Sequence, residues 1–201
     1  MPGWKPCATD WRTRVAVKLI RIRIHSDRRG WFSETYSRDR YAELGVDCVF
    51  VQDNHSLSRT AGVIRGLHFQ RPPFAQAKLV RCVSGRVWDV VVDLRAGSPT
   101  YGQWVGHELT PENGLQLYAP VGFAHGFVSL EANTAVEYKV SQAYAPDSEG
   151  GLVWNDPDLA LPWPLDGRAP LLSEKDLALP GLAGFESPFV YDGTPLAVDP
   201  A

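Results

Sequence analysis

The chain has 201 residues, 44% of them hydrophobic and 21% charged, which suits a single globular domain with one sizeable core. Its net charge of −3 argues against a nucleic-acid partner, and the lack of a long apolar run argues against a membrane partner. The three cysteines fit neither a disulfide framework nor a zinc motif and no signal peptide opens the sequence, so we expect a cytoplasmic protein.

Alternation of apolar and polar residues is the strongest local pattern, and it predicts β-strands along most of the chain. The first predicted strand runs from residue 15 to residue 24, where apolar residues alternate with basic ones. Residues 77–83 and 87–94 predict two more strands, and Ser84-Gly85 between them predicts a hairpin turn. Further short strands are predicted at residues 104–109, 116–119, 126–130 and 134–140.

Helical periodicity is scarce, and only two short helices are predicted. Residues 38–44 form the first helix, which Gly45 closes, and Ser173 opens the second as its N-terminal cap. Between residues 157 and 180 the chain is rich in proline, which predicts loops and short turns. Glycine and proline separate the predicted strands at intervals of roughly 8–12 residues, which is typical of a sandwich, jelly roll or barrel. The sequence thus predicts an all-β fold with a few short peripheral helices.

Both ends of the chain lie outside this strand pattern. We expect an N-terminal extension at residues 1–14, a single domain at residues 15–185 and a C-terminal tail at residues 186–201. Two tryptophans in the extension, Trp4 and Trp11, indicate that it packs on another surface, for example that of a second subunit.

Two histidines lie in glycine-marked motifs, His68 in GVIRGLHFQ and His125 in PVGFAHGF. If both side chains point into one cavity, that cavity holds a candidate base, because a histidine ring is largely neutral near pH 7. Arg65 is three positions from His68 and therefore faces the other side of a regular strand. A bulge at Gly66 would change this parity and bring the two side chains to the same side.

The second histidine motif also fits Pro-x-Gly-x-x-His, a sequence motif of the cupin barrels. Cupins usually hold a metal through an earlier His-x-His and a later glutamate, whereas the earlier stretch here reads His68-Phe69-Gln70. One histidine is missing and no carboxylate follows at the right spacing, so the two remaining histidines would make a weak metal site. We therefore expect a cupin-like barrel without a metal site.

Several motifs, spread in order over most of the chain, resemble those of the dTDP-4-dehydrorhamnose 3,5-epimerases. The resemblance extends from about residue 18 to about residue 178. The sequence departs from the family near its start, because it reads RRGWFSE at residues 28–34 where the family commonly shows ERGFFE. The matching motifs are QDNHS (52–56), GVIRGLHFQ (62–70), KLVR (78–81), DVVVDLR (89–95), SPT (98–100), GFAHGF (122–127), YK (138–139) and WNDP (154–157).

The resemblance implies a metal-free double-stranded β-helix, or jelly roll, that needs no cofactor and usually forms a homodimer. Such enzymes invert carbon 5, and commonly carbon 3, of a dTDP-4-keto-6-deoxyhexose, so the expected partner is a dTDP-sugar substrate. The expected reaction converts dTDP-4-dehydro-6-deoxy-D-glucose into dTDP-4-dehydro-L-rhamnose. Its 4-ketone acidifies the hydrogens on both neighbouring carbons, so that a base forms an enolate and a proton returns from the opposite face.

The resemblance also implies roles for single residues. His68 is the base, and Asp176 on one ring nitrogen would fix the tautomer and raise the basicity of the other nitrogen. Lys78 lies beside the ketone oxygen, where an ammonium group stabilises the enolate, and Tyr138 is the proton donor on the opposite face. Arginine suits contacts with a diphosphate because its planar guanidinium binds two oxygens at once. The positions that match substrate-binding residues are Arg29, Glu34, Gln52, Asp53, Asn54, Arg65, His125, Tyr144, Glu149 and Lys175.

Taken alone, these residues have plainer interpretations, and other functions stay open. Without the resemblance, Asp176 is a solvated carboxylate at a helix start, Lys78 a strand lysine and Tyr138 a core side chain. One alternative is an epimerase that inverts a single carbon of a dTDP-4-keto-deoxy sugar in secondary metabolism. Another is a metal-dependent cupin oxygenase or isomerase with His68 and His125 as ligands. The third is a barrel that binds a nucleotide sugar without changing it.

Overall fold

The computed structural model describes residues 16–196 and the backbone of residues 199–200; the predicted extension at residues 1–14 lies outside them. One sheet of this part of the chain consists, in order of pairing, of β13 (Asp199–Pro200), β1 (Lys18–Arg21), β9 (Leu115–Ala119), β6 (Lys78–Ser84), β11 (Thr134–Val140) and β4 (Gln52–Ser58). A second sheet consists of β12 (Glu149–Gly151), β5 (Ile64–Gln70), β10 (Phe123–Ser129), β7 (Val87–Asp93) and β8 (Trp104–Leu109). A separate hairpin pairs β2 (Ile24–Asp27) with β3 (Gly30–Ser33).

The two larger sheets pack face to face, and apolar side chains from both inner faces form the main core. Val80 and Leu117 from the six-stranded sheet belong to the same buried cluster as Val87, Val91 and Phe127 from the five-stranded sheet. Successive side chains of a strand point to opposite faces, so every second residue of these strands contributes to the space between the sheets. This arrangement confirms the predicted all-β fold, a cupin-like jelly roll.

The predicted hairpin turn at Ser84-Gly85 is wrong, because the strands on either side of it lie in different sheets. β6 belongs to the six-stranded sheet and β7 to the five-stranded sheet. Gly85 has a φ of +72°, and a Cβ atom at this position would lie 2.4 Å from Thr134 Oγ1. The glycine therefore allows a sharp turn from one layer into the other, and both strands bury their apolar residues in the shared core.

The predicted strand at residues 15–24 is also divided in the structure. β1 ends at Arg21, and β2 begins at Ile24 in the separate hairpin. Between them, the Ile22 amide donates a hydrogen bond to the Gly114 carbonyl. This bond lies next to the last pair of β1 and β9, and beyond it the chain leaves the sheet. The apolar alternation continues across this exit, so the sequence pattern alone does not reveal the break. The strands predicted at residues 77–83, 87–94, 104–109, 116–119 and 134–140 are confirmed to within one residue, whereas β10 begins three residues before the predicted 126–130.

Both predicted helices are confirmed, the first with its predicted end and the second with its predicted start. Helix α1 (Arg38–Glu43) is followed by Gly45, whose φ of +78° is the left-handed conformation that closes many helices. Helix α2 (Glu174–Leu177) begins after Ser173, and the Ser173 side chain accepts a hydrogen bond from the Asp176 amide at 3.1 Å.

The segment predicted as a C-terminal tail packs along the barrel as far as residue 196. Phe189 and Leu196 are each 5% exposed and belong to two different core clusters. The buried Arg95 guanidinium donates hydrogen bonds to the Thr194 carbonyl and to the Asp192 carboxylate, and so holds the segment in place. The boundaries of the domain and of the tail stay predictions.

Candidate active site

A cavity of about 490 Å³ opens between the two sheets, beside helix α2. Its walls come from the inner faces of both sheets and from the segment that leads into the helix. Every ionisable side chain on these walls was named from the sequence, and together they are eight of the fourteen predicted site residues. These eight are Arg65, His68, Lys78, His125, Tyr138, Glu149, Lys175 and Asp176.

The bulge predicted at Gly66 is present and brings Arg65 and His68 to the same wall. In the pairing of β5 with β10, His68 faces His125 and Arg65 faces Phe127, so three steps on one strand match two on the other. Gly66 has a φ of +117°, and a Cβ atom there would lie 2.7 Å from the Gly126 Cα atom. The position therefore requires glycine, and this glycine sets the direction of the candidate base.

His68 forms a short hydrogen bond with a buried carboxylate. Its Nε2 atom lies 2.7 Å from Asp176 Oδ1, and the Asp176 side chain is only 7% exposed. Burial alone would raise the pKa of Asp176, but the hydrogen bond and charge of His68, with the Gly66 amide and Ser173, hold that pKa below its ordinary value. The ionised carboxylate orients the ring and leaves the other ring nitrogen of His68 free to act as a base.

Lys78 brings a buried ammonium group to the same cavity. Its Nζ atom donates a hydrogen bond to the His68 carbonyl at 3.3 Å. Burial lowers the pKa of Lys78 to about 8, while the carboxylates of Asp89 and Glu149 oppose this shift. At neutral pH the side chain is mostly charged, and in this poorly solvated position its charge interacts strongly with a developing anion.

Tyr138 lies on the wall opposite the histidine, because β11 belongs to the six-stranded sheet and β5 to the five-stranded sheet. Burial raises the pKa of Tyr138, and the nearby Arg65 guanidinium only partly opposes this shift. The phenol is therefore protonated at neutral pH. A molecule held between the sheets would have a base on one side and a proton donor on the other.

His125 forms a second histidine–carboxylate pair, with a partner that the sequence analysis missed. Its Nε2 atom lies 2.9 Å from Oδ2 of Asp89, which is fully buried. The sequence does hold a sign of this partner, because β7 carries two aspartates in an otherwise apolar run. The second of these, Asp93, has a different purpose, since it accepts hydrogen bonds from the Arg95 side chain and from Ser98.

Polar residues at the cavity mouth form one connected group. Glu149 accepts a hydrogen bond from the Tyr144 hydroxyl at 2.8 Å and pairs with the Lys175 ammonium. Although burial works against it, these two partners hold the pKa of Glu149 below its ordinary value. Gln52 accepts a hydrogen bond from the Tyr144 amide and donates one to the Asn54 side chain. Gln52, Asn54 and Tyr144 thus lie beside the cavity mouth, although they are not part of the cavity wall.

The comparisons with known proteins agree with this geometry. The sequence profile of the dTDP-4-dehydrorhamnose 3,5-epimerase family matches residues 15–184. The chain belongs to this family. It is 50% identical over 175 residues to the dTDP-4-dehydrorhamnose 3,5-epimerase of Sinorhizobium fredii, a match that covers 87% of this chain and 89% of the relative.

Solved structures of family members have the same fold. The dTDP-4-dehydrorhamnose 3,5-epimerase of Bacillus anthracis, solved with TDP and PPi bound, is 47% identical and gives a TM-score of 0.80. That match covers 89% of this chain and 99% of the other. A dTDP-6-deoxy-D-glucose-3,5-epimerase of Legionella pneumophila, in complex with dTDP-4-keto-L-rhamnose, gives a TM-score of 0.81 at 46% identity, over 85% and 90% of the two chains. This chain is accordingly an enzyme of the isomerase class, a dTDP-sugar epimerase.

Three residues that the family resemblance assigns to substrate binding lie away from the cavity of this epimerase chain. Arg29 is exposed in the turn of the β2–β3 hairpin and pairs with Asp27. Glu34 follows the hairpin and pairs with Arg40. Asp53 alternates with Asn54 and therefore points to the outer face of the sheet, where it lines a separate cavity of about 340 Å³.

In the part of the epimerase chain that the structure describes, no group of three or more histidine, cysteine, aspartate and glutamate side chains is placed to hold a metal ion. None of the helices found there combines the length and the apolar character needed to cross a membrane.

Proposed function

We propose that this epimerase inverts carbons 3 and 5 of dTDP-4-dehydro-6-deoxy-D-glucose and so forms dTDP-4-dehydro-L-rhamnose. One observation carries the proposal: the His68–Asp176 pair and Tyr138 lie on opposite walls of one cavity, with Lys78 beside the histidine. The 3,5-epimerase names of the relatives support a reaction at both carbons, so a single-carbon epimerase is the less favoured alternative.

The proposed reaction transfers one proton out of the sugar and another into it at each carbon. The free ring nitrogen of His68 takes the proton next to the 4-ketone, and the electrons of the broken C–H bond form an enolate. The ammonium group of Lys78 stabilises the negative oxygen. Tyr138 then gives its proton to the same carbon from the opposite face, which inverts it. A positioned base or acid of this kind typically accelerates a reaction by about 10²–10⁴-fold.

We infer that the diphosphate of the substrate binds at Arg65, and that the mouth formed by Glu149, Lys175, Tyr144 and Gln52 contacts other parts of the nucleotide sugar. Arg65 lines the cavity and offers a guanidinium that can bind two phosphate oxygens at once. At the same mouth Lys175 forms an ion pair with Glu149, so this pair adds no net charge and Arg65 supplies the positive charge for the diphosphate. The expected location of the enzyme is the cytoplasm.

We also propose a homodimer, because the β2–β3 hairpin carries Arg29, a predicted substrate-binding residue that does not line the cavity of His68 in its own chain. Within the hairpin, Trp31 is 62% and Phe32 is 70% exposed, which is unusual for large apolar side chains next to each other. A second copy that covers these rings would also carry Arg29 to a neighbouring cavity. The oligomeric state in solution, measured by analytical ultracentrifugation, tests this part of the proposal.

Turnover of dTDP-4-dehydro-6-deoxy-D-glucose by the purified protein tests the activity, with a nucleotide-sugar reductase coupled downstream. The reaction is run in heavy water without added metal, and NMR follows deuterium at carbons 3 and 5. We expect deuterium and inversion at both carbons in the unaltered chain, no exchange above background in the His68→Ala variant, and no inverted product from the Tyr138→Phe variant, which keeps the base. Exchange at one carbon would support the single-carbon alternative, binding without exchange would support the non-enzymatic barrel, and loss of activity with a chelator would support a metal-dependent enzyme.

A further inference from the structure

A row of acid–base groups crosses the inner face of the five-stranded sheet from the cavity to the sheet edge. His68 on β5 lies directly opposite His125 on β10, and both line the cavity. On the next strand, β7, Asp89 accepts a hydrogen bond from the His125 ring through Oδ2. His107 on the edge strand β8 lies directly opposite Asp89. The row thus occupies four neighbouring strands without interruption.

One step of this row is a direct hydrogen bond, the one between His125 and Asp89, and it leads from the cavity wall into the core. The hydrogen bond between His125 and Asp89 Oδ2 measures 2.9 Å. Asp89 is fully buried and does not line the cavity. Its second oxygen, Oδ1, has no hydrogen-bond partner among the side chains that the structure describes. A buried carboxylate with one free oxygen is poised to exchange a proton with a further group.

His107 is the ionisable group that the sheet register places next to that carboxylate. Directly paired residues of an antiparallel sheet have Cβ atoms about 4.5–5.5 Å apart, so one water molecule or a small side-chain rotation can connect the two groups. His107 shares the inner face with its strand neighbours Val105 and Leu109, which pack in the main core. It is only half-buried, because β8 is the edge strand, so its ring reaches solvent.

The surroundings of this end of the row favour a neutral His107 ring, which can accept a proton from Asp89. Burial lowers the pKa of His107, and the Asp89 carboxylate opposes the shift. Lys78 approaches Asp89 from the other sheet, and the buried Cys82 thiol interacts with Asp89 from the same strand as Lys78. Histidine is the side chain best suited to accept and release protons under these conditions.

The proposed reaction creates a need for such a route. Each epimerisation leaves the abstracted proton on His68, and a second epimerisation at the other carbon requires a neutral His68 again. While the sugar nucleotide fills the cavity, it separates His68 from bulk water. A proton path that leaves the cavity through the sheet would restore the base without release of the half-converted substrate.

We propose that His107 is the outer end of a proton relay that runs from His68 through His125 and Asp89 to solvent. His125 takes the proton from His68 on one ring nitrogen and releases another from Nε2 to Asp89. Asp89 passes a proton from its other oxygen to His107, which gives it to water. One proton enters and one leaves each relay group, and no electrons are transferred. Tyr138, which has given its proton to the sugar, takes one from water, and this uptake balances the proton that His107 releases. His107 does not touch the substrate; it acts through Asp89, and the inference rests on the proposed function.

The test compares two variants of His107 with a neighbour on the same strand. His107→Gln keeps a polar side chain of similar length that cannot carry the proton, and His107→Leu removes the polarity as well. In dilute buffer we expect kcat about tenfold below that of the unaltered chain, with KM unchanged, for both variants. Added imidazole, a small proton carrier, should restore kcat. The control Glu108→Gln alters an exposed residue of β8 whose ion pair with Arg86 spans 3.6 Å, and it should leave kcat unchanged.

A second measurement follows the product itself. If the relay works between the two epimerisations, His107→Gln should release more sugar inverted at one carbon only, and NMR distinguishes this sugar from the final product. The relay is overturned if His107→Gln keeps full kcat in dilute buffer, or if its loss of kcat does not respond to imidazole. The second result would show a merely structural effect, which thermal denaturation would reveal as a lowered Tm. No turnover by the unaltered chain would instead overturn the proposed function, and the relay with it.

Discussion

At the scale of single residues, burial and hydrogen-bond partners hold Asp176 and Tyr138 in the protonation states that their proposed roles require. The depressed pKa of Asp176 keeps a carboxylate on His68, and the raised pKa of Tyr138 keeps a proton on the phenol. Lys78 is the exception, because burial brings its pKa to about 8, within the range in which enzymes are commonly assayed. The shifts of Asp176 and Lys78 each lead to a prediction.

Replacement of Asp176 by asparagine should lower kcat with little change in KM. The amide keeps the shape of the side chain, but it cannot stabilise the positive charge that His68 gains when it takes a proton. We expect kcat to fall by about 10²-fold or more, since that is the usual contribution of a well-placed base. Steady-state kinetics measure the effect, and an unchanged Tm would show that the fold is intact. A variant with normal kcat would contradict the role of Asp176 as the partner of the base.

Lys78 should set the alkaline limit of activity. As pH rises through about 8, the ammonium group loses its proton, and with it the charge that stabilises the enolate. We therefore expect kcat to decline above this pH, while the protonated form supports full activity below it. The pH dependence of kcat measures the limit, and Lys78→Arg, which stays charged, should move the decline to higher pH even if its overall rate is lower. A decline at the same pH in Lys78→Arg would assign it to another group.

At the scale of strands and turns, local patterns predicted most elements, whereas the pairing of those elements depended on contacts far along the chain. The strands at residues 104–109 and 134–140 follow from alternation alone, and Ser173 marks the start of α2. The turn at Ser84-Gly85 shows the limit of such patterns, because a glycine turn can lead back into the same sheet or across to the other. Asp89 was missed for a similar reason, since its partner His125 is thirty-six residues away.

Gly66 should be the least replaceable glycine of the site. An alanine there would meet the Gly126 backbone at 2.7 Å and would also hold a positive φ. Gly97 offers a matched control, because it has a φ of +81° with no atom within 4 Å of an added Cβ. Gly97→Ala should cost about 1–3 kcal/mol of unfolding free energy from backbone strain, and Gly66→Ala should cost more, with loss of activity. Urea denaturation measures both, and equal costs would mean that the close approach of β5 to β10 is unimportant.

At the scale of the whole molecule, one chain contains the reactive groups but not every expected contact with the nucleotide. The two larger sheets bring His68, Lys78 and Tyr138 together in one cavity. Arg29 lies on the β2–β3 hairpin, which pairs with neither sheet. The proposed symmetric dimer would account for both features, because in such an assembly each hairpin can contact the cavity of the other chain. This arrangement predicts that two inactive variants, each altered at a different residue of the site, restore activity when they form a mixed dimer.

A mixture of the His68→Ala and Arg29→Ala variants tests that arrangement. In a mixed dimer, the chain with Arg29→Ala keeps an intact cavity, and its partner with His68→Ala lends an intact hairpin. One of the two sites is then complete, so equal amounts that exchange subunits freely should recover about a quarter of the unaltered activity. The mixture is compared with each variant alone after the same exchange treatment. If the hairpin serves its own chain, no mixed dimer has a complete site, and the mixture should show only the average activity of the two variants.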